Sequence, residues 1–366
     1  MEAHIGSRAY YDQDIYDIEI SAMTSELWNF VGNANEIEKE NDYFLANIGN
    51  RSIIVQRCSG QVKAFENVCR HRFSKIHLER SGNRKLVCPY HSWTYGKNGQ
   101  LISIPESDQF PEIKKETMCE ISLTQWQTSL CGSLIFIRKN SEGPSLKDFL
   151  GEKYSKLETI SKSFGTLIGR IEFPIQANWK LIMENTLEPY HVNSVHPTSF
   201  ARLGTHRPEI SVEEEHVELV ASLDPTYVKR FKRVDNALRE RPIRNDKYTH
   251  YEIFPTLAIA STFGTSFSVS RLELLSPTKT QFISSVYFTK CDSSILNTIK
   301  STLEESILKF NKQVFEEDAK AAEMVQLSVH QAEFPGIVGE QEVRMIPFQK
   351  GCAKIYEKYW KKESST

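Results

Sequence analysis

No apolar run in the 366 residues approaches the roughly 20 that a membrane span needs; the longest, such as Leu134 to Ile137, are a fraction of that. Charge of one sign is also missing. Lys and Arg number 45 against 47 Asp and Glu, a net charge of -2, so no overall field would draw nucleic acid or an anionic membrane. Met1 to Tyr11 carries no basic region followed by an apolar stretch, and the expectation is a soluble, cytoplasmic protein with no membrane partner. Internal repeats and low-complexity tracts are absent. Cysteines are few and odd in number, seven at irregular spacing, which argues against a disulfide framework and for mostly buried thiols. What is present is ordinary for a globular chain: 40% hydrophobic and 25% charged residues, which excludes wholesale disorder and fibrous repeats.

The length predicts about two domains, at ~150 residues each. Residues about 40 to 140 read as short strands broken by turn signals: Tyr43-Phe44-Leu45, Ile53-Ile54-Val55, Val62 to Phe65 and Leu134 to Ile137. Asn98-Gly99 is a hairpin signal for a type I′ turn. A polar stretch from Arg138 to Lys147 is the expected linker, so the domains are placed at 1–145 and 146–366. A helical segment follows near 147–162, then strands near 166–173, 217–223, 256–262, 266–275 and 280–289. Alternation in the last suits a sheet with two chemically different faces. The segment 224–250 carries eight Lys and Arg against four acids; a solvated helix or lid is expected there in preference to a nucleic-acid surface. Ile295, Ile299, Leu303, Ile307, Phe310 and Val314 form one stripe of a long helix. The second half therefore reads as α+β, a helix on a curved antiparallel sheet.

Two constellations carry chemistry. Cys69-Arg70-His71 is followed, after sixteen residues, by Cys88-Pro89-Tyr90-His91. Two thiolates and two imidazoles on two similar loops form a metal site by ligand softness. Structural zinc usually takes a cysteine pair and then a histidine pair. Here each loop supplies one of each, which fits a binuclear cluster whose cysteines hold one iron and whose histidines hold the other.

The second constellation is Glu188, His191 and His196, with Pro197 ending the local helix. Two imidazoles and one carboxylate make the facial triad of non-haem Fe(II). Extending the C-terminal stripe by four from Val314 reaches Asp318, then Ala322 and Val325. A charge on a buried helix face is costly unless paired or metal-bound, so Asp318 is the candidate third ligand. Glu316 and Glu317 are expected to be solvated neighbours, with Glu317 in reserve.

The first motif resembles the Rieske [2Fe–2S] domain, and with both present the chain resembles the terminal oxygenase α subunit of Rieske non-haem iron (ring-hydroxylating) oxygenases over about residues 8 to 350. The family pattern is matched by Asn178, Trp179, Lys180, Glu184, Asn185, Glu188, His191 and His196, with Asp318 as the helical carboxylate. The resemblance implies an N-terminal all-β Rieske domain and a helix-grip (START-like) catalytic domain with a long C-terminal helix. It implies a cluster on Cys69, His71, Cys88 and His91, a mononuclear Fe(II) on His191, His196 and Asp318, and catalytic roles for Glu188 and Asn185. Glu188 would fix the His191 tautomer and bridge to a neighbouring chain's His91 in a homotrimer. Glu stands where the family most often has Asp, as in members acting on quaternary ammonium compounds such as carnitine.

The chain has no Gly-x-Gly-x-x-Gly fingerprint for a flavin or nicotinamide, so a separate NAD(P)H-dependent reductase, directly or through a ferredoxin, would supply electrons. A small organic substrate would react with O2. The short chain favours hydroxylation or N-/O-demethylation over aromatic cis-dihydroxylation. Alternatives from other classes are a non-catalytic Rieske electron-transfer protein and a structural zinc protein. Phe200, Leu203, Leu257, Phe263 and Phe267 are candidates either for lining the pocket or for the core.

Overall fold

A computed structural model describes residues 4–140, 142–238, 240–291, 296–334 and 336–363. The chain divides into two compact units, Met23–Phe149 and Met1–Ala22 together with Leu150–Thr366. The N-terminal residues thus group with the second unit, not with the first as the sequence reading had it. The reason lies in helix α1 (Gln13–Ser25). Its Glu19 is fully buried and accepts hydrogen bonds from Trp179 Nε1 (2.7 Å), Lys180 Nζ (2.6 Å) and the Tyr356 hydroxyl (2.5 Å). A carboxylate can leave water only where such partners exist. Removing the cation by Lys180→Ala should therefore cost about 3–5 kcal/mol of stability, read as a lower denaturation midpoint. An unchanged midpoint would show that the pair is dispensable.

The unit Met23–Phe149 holds strands β1 (Asn29–Asn33), β2 (Asp42–Ile48), β3 (Arg51–Cys58), β4 (Gln61–Glu66), β5 (Ser81–Asn83), β6 (Thr94–Tyr95), β7 (Leu101–Ser103), β8 (Gln125–Cys131) and β9 (Leu134–Arg138). Seven form an antiparallel sheet in the order β1-β9-β8-β4-β3-β2-β5, and β6 pairs with β7 separately. The core lies where β3, β4 and β9 bury Ile53, Ile54, Val55, Phe65 and Ile135 completely. The hairpin at Asn98-Gly99 is present but is not of type I′. Only Gly99 takes a positive φ there, +80°, and its N–H bonds to Gly96 O at 2.9 Å. A Cβ on Gly99 would meet Phe65 at 2.8 Å, so glycine is required for space as well as for φ.

Helix α2 (Leu146–Leu150) crosses the boundary between the units, and in the second unit α3 (Lys153–Lys162) leads to β10 (Phe164–Ile175), α4 (Trp179–Leu187) and α5 (Val192–Val195). Then come β11 (His206–Glu213), β12 (His216–Ser222), α6 (Pro225–Ala237), β13 (Lys247–Ile253), β14 (Leu257–Thr262), β15 (Ser266–Ser276) and β16 (Lys279–Thr289), followed by α7 (Leu296–Ser328) and α8 (Met345–Glu363). The antiparallel sheet has the order β10-β16-β15-β14-β13-β12-β11, a meander whose last strand returns to β10. Two register shifts in β10 bend it. α7 packs on β10 where Gly169 lets Leu308 approach, since a Cβ there would lie 2.9 Å from the leucine. Two findings differ from the sequence reading. β16 is buried almost throughout, so both faces of the sheet are covered at that strand. The basic segment 224–250 supplies the expected helix, α6, but also runs on into most of strand β13, which the sequence reading did not place.

Candidate active site

Two loops of the first unit carry the Cys-x-His and Cys-x-x-His pairs, one between β4 and β5 and the other between β5 and β6. Their backbones repeat one design. Cys69 N–H bonds to Ser74 O and Phe73 N–H to Cys69 O; Cys88 N–H bonds to Trp93 O and Ser92 N–H to Cys88 O. The fourth residue after each cysteine is left-handed, Phe73 at φ 61° and Ser92 at φ 58°. The twin turns bury both thiols and bring the His71 and His91 rings to 4.7 Å between centroids. Trp93 stacks on His71 at 4.8 Å and Phe110 meets it edge-on, fixing the imidazole plane. His71 Nδ1 is buried without a hydrogen-bond partner among the described residues. Burial and the neighbouring His91 lower the His71 pKa, keeping it in the neutral form that can ligate a metal.

The Tyr95 hydroxyl accepts from Arg70 N–H at 2.9 Å, which leaves its own proton for Cys69 Sγ at 3.2 Å. Hydrogen bonds to ligand sulfur stabilise the more reduced, more negative state. Tyr95→Phe should lower the reduction potential of a cluster bound here while keeping its spectrum; an unchanged potential would remove Tyr95 from that role.

In the second unit the carboxylate and histidines come from a short stretch. Asn178 caps α4 by accepting from Lys180 N–H, and α4 stops at Leu187 because Glu188 precedes Pro189 and is extended (φ −114°, ψ 136°). One turn of helix, α5, follows, with His191 and His196 as its two caps and Pro197 beyond. Both rings then face Asp318 on α7. His196 Nε2 lies 2.9 Å from Asp318 Oδ1 and 3.2 Å from His191 Nε2, which is 3.4 Å from Asp318 Oδ1. All three ligand atoms lie within 4.8 Å of one another.

Each imidazole is held from behind. Glu188 Oε1 is 2.5 Å from His191 Nδ1 and its other oxygen accepts the His191 backbone N–H. Glu317 Oε2 is 2.7 Å from His196 Nδ1, accepts from the Ser199 hydroxyl, and its Oε1 accepts from Gln313 at 2.9 Å. Glu317 is thus part of the site rather than a solvated neighbour. Asn185 Nδ2 donates to Asp318 Oδ1 at 2.6 Å.

With each Nδ1–H given to a carboxylate, both Nε2 lone pairs and a carboxylate oxygen converge. Ligands sharing one ion at about 2.0–2.1 Å and right angles stand roughly 3 Å apart, close to the separations seen here. With no metal bound, burial alone would push His191 down, but Asp318 and Glu188 outweigh it and hold the imidazole up at about 9, so a metal ion entering the site displaces that proton to reach the Nε2 lone pair. The two histidines in turn keep Asp318 below its ordinary value against its own burial. The cluster attracts positive charge.

These three residues line a cavity of about 510 Å³, which is also lined by small residues of the sheet, among them Ala258, Ala260, Ser268 and Ser270. Of the five apolar candidates only Phe200 lines it. Leu203 and Phe263 pack with Leu223 in a core cluster, and Leu257 and Phe267 are buried in the sheet's core. The helical stripe holds from Leu303 through Ala322, but Val325 is exposed. Ile295 and the side chain of Ile299 lie outside the described residues.

The model for the Rieske [2Fe–2S] domain matches residues 27–118, and that for the catalytic domain of the ring hydroxylating alpha subunit matches 164–358. The chain belongs to the ring-hydroxylating α-subunit family of Rieske oxygenases. It is 33% identical over 190 residues to the glycine betaine monooxygenase oxygenase subunit of Pseudomonas aeruginosa, covering 51% of this chain and 43% of that one. The chain thus spans less than half the length of that relative. Chloroplastic choline monooxygenase of Amaranthus tricolor is 27% identical over 327 residues, 87% of this chain and 69% of that protein. The fold is shared with the quaternary ammonium Rieske monooxygenase CntA solved with L-carnitine, at TM-score 0.79 and 19% identity over 96% of this chain and 94% of that one. The matched domains imply a [2Fe–2S] cluster and a mononuclear iron. The two soft and two imidazole ligands on twin turns fit the first, and the two imidazoles and carboxylate facing one point fit the second.

Proposed function

We propose that this protein is the terminal oxygenase of a multicomponent Rieske system, which hydroxylates or N-/O-demethylates a small organic substrate. O2 is the oxidant, and a separate NAD(P)H-dependent reductase, directly or through a ferredoxin, supplies the electrons. The observation that carries this reading is the convergence of His191, His196 and Asp318 on one wall of the 510 Å³ cavity. Cys69 and Cys88 would hold one iron of the cluster and His71 and His91 the other; His191, His196 and Asp318 would hold the third iron. Bound there, the metals supply electrons singly and activate O2.

The chain's own residues set the conditions for that chemistry. Glu188 and Glu317 accept the Nδ1 protons of the two histidines and so keep both Nε2 atoms free to ligate. Asn185 positions the Asp318 carboxylate and does not itself hold metal. The cavity's small aliphatic and aromatic residues exclude water from the reacting bond. The betaine and choline relatives favour a quaternary ammonium or related methylated amine as substrate.

The purified protein should be brown and contain three irons per chain. With a partner reductase it should couple NAD(P)H consumption to product from one class in a panel of methylated amines, aryl ethers and aromatic acids. Zinc in place of iron, or no substrate-dependent consumption across the panel, would overturn the proposal.

The proposed assembly is a homotrimer in which Glu188 links His191 to a neighbouring chain's His91. An ionised carboxylate can accept from both imidazoles. Glu188→Gln places a donor there, so turnover should fall at least ~10–100-fold, the range for lost ligand support, with both metals retained. Wild-type turnover in that variant would remove Glu188 from the path.

A further inference from the structure

We propose that Arg344 makes the cavity selective for substrates bearing a carboxylate, a feature that rests on the cavity being the oxygenase's substrate pocket. Arg344 stands just before α8, is 5% exposed and lines the cavity. Its Nη1 is buried with no hydrogen-bond partner among the described residues. Beside it on β13, His250 is 6% exposed, also lines the cavity, and has an equally unpartnered Nδ1. Both residues line one cavity and each keeps a buried polar atom without a partner, an arrangement that is costly unless a ligand completes the hydrogen bonding of the pair.

The surrounding charges leave Arg344 uncompensated. Arg271 also lines the cavity, but it is paired with Glu273 at 2.7 Å. Glu252, two residues on from His250 and therefore on the same face of β13, does not line the cavity and is completely buried; neither of its carboxyl oxygens has a partner among the described residues. Burial disfavours the charged form of Glu252 and pushes its carboxyl well above its ordinary range in spite of Arg344. Glu188 and Asp318 are committed to the two histidines, and Glu340 at the rim is exposed. Burial and Arg344 hold His250 neutral, so it adds a single N–H and no charge.

A planar guanidinium plus one N–H matches a monoanionic carboxylate, which one cation can neutralise. A phosphate dianion would leave a buried charge unmatched. The arrangement orients a substrate by its anionic end and presents the remainder to the wall that carries His191, His196 and Asp318. It separates a betaine-like acid from an alcohol such as choline, which has nothing to offer Arg344.

Calorimetric binding without turnover tests this on the full chain, with iron content and cluster spectrum recorded for every sample. The probes are glycine betaine against choline, and benzoate and 4-methoxybenzoate against their carboxamides. At least one carboxylate should bind wild-type protein ten-fold or more tightly than its uncharged or alcohol counterpart. Arg344→Gln should abolish that preference with metals and fold intact, and Arg344→Lys should restore part of it. The proposal is overturned if no carboxylate binds more tightly than its counterpart, including the case in which none binds, or if Arg344→Gln keeps the preference. Should Arg344→Gln lose its metals or unfold, the ratio measured in Arg344→Lys decides: a ratio unchanged from wild type or fully lost also counts against the guanidinium–carboxylate contact. Absence of iron from the wild type would count against the oxygenase reading instead, and the binding ratio would still stand as measured.

Discussion

Asp318→Ala is expected to lose the mononuclear iron and product formation while keeping the colour of the cluster. The two metal sites draw on disjoint residues, so damage to one leaves the other's ligands in place. Asp318 is the contact point of both histidines, at 2.9 and 3.4 Å. Alanine leaves two imidazoles and no charge to hold a dication. Glu317→Ala is the paired control. Of the three ligand residues Glu317 touches His196, at its far nitrogen, so its loss should weaken iron binding by ~10–100-fold without abolishing it. Iron analysis and single-turnover product yield separate the two. Should Asp318→Ala keep iron while Glu317→Ala loses it, the roles of these neighbours are reversed.

Cys69→Ser or His91→Ala should abolish the visible spectrum of the cluster and leave the chain folded. A serine hydroxyl does not replace a thiolate toward iron, and no other cysteine lies on either of the twin turns. The turns themselves are held by backbone hydrogen bonds that neither substitution removes, so circular dichroism should show the β-sheet intact. A wild-type spectrum in either variant would end the Rieske assignment of these four residues.

What could be read in advance follows from how local each signal is. Cys69, His71, Cys88 and His91 stand in two tight pairs, and Glu188, His191 and His196 within nine residues, so spacing alone brings them together. Asp318 could be found because helical periodicity places it on the face of Val314. Glu317 could not, since its meaning depends on where His196 Nδ1 points once α5 and α7 meet. The strands β15 and β16 were legible from their apolar content, whereas β11 is exposed through almost its whole length and carries no such pattern. Helix α1 escaped notice because its key residue, Glu19, reads as an ordinary surface acid until Lys180 and Trp179 are folded against it. The pocket was least legible. An apolar residue on a strand does not announce which face it occupies, and the cavity is bounded as much by alanines and serines as by phenylalanines.

The donor set at His191, His196 and Asp318 is split between a one-turn helix and a long helix some 120 residues later, as the separations of 121 and 122 residues in the His196 contacts record. An ion held there is a rivet as well as a reagent. It ties the middle of α7 to the end of the α4–α5 segment and closes a long stretch of sheet between them. Loss of iron would therefore loosen the fold locally where α7 meets α5.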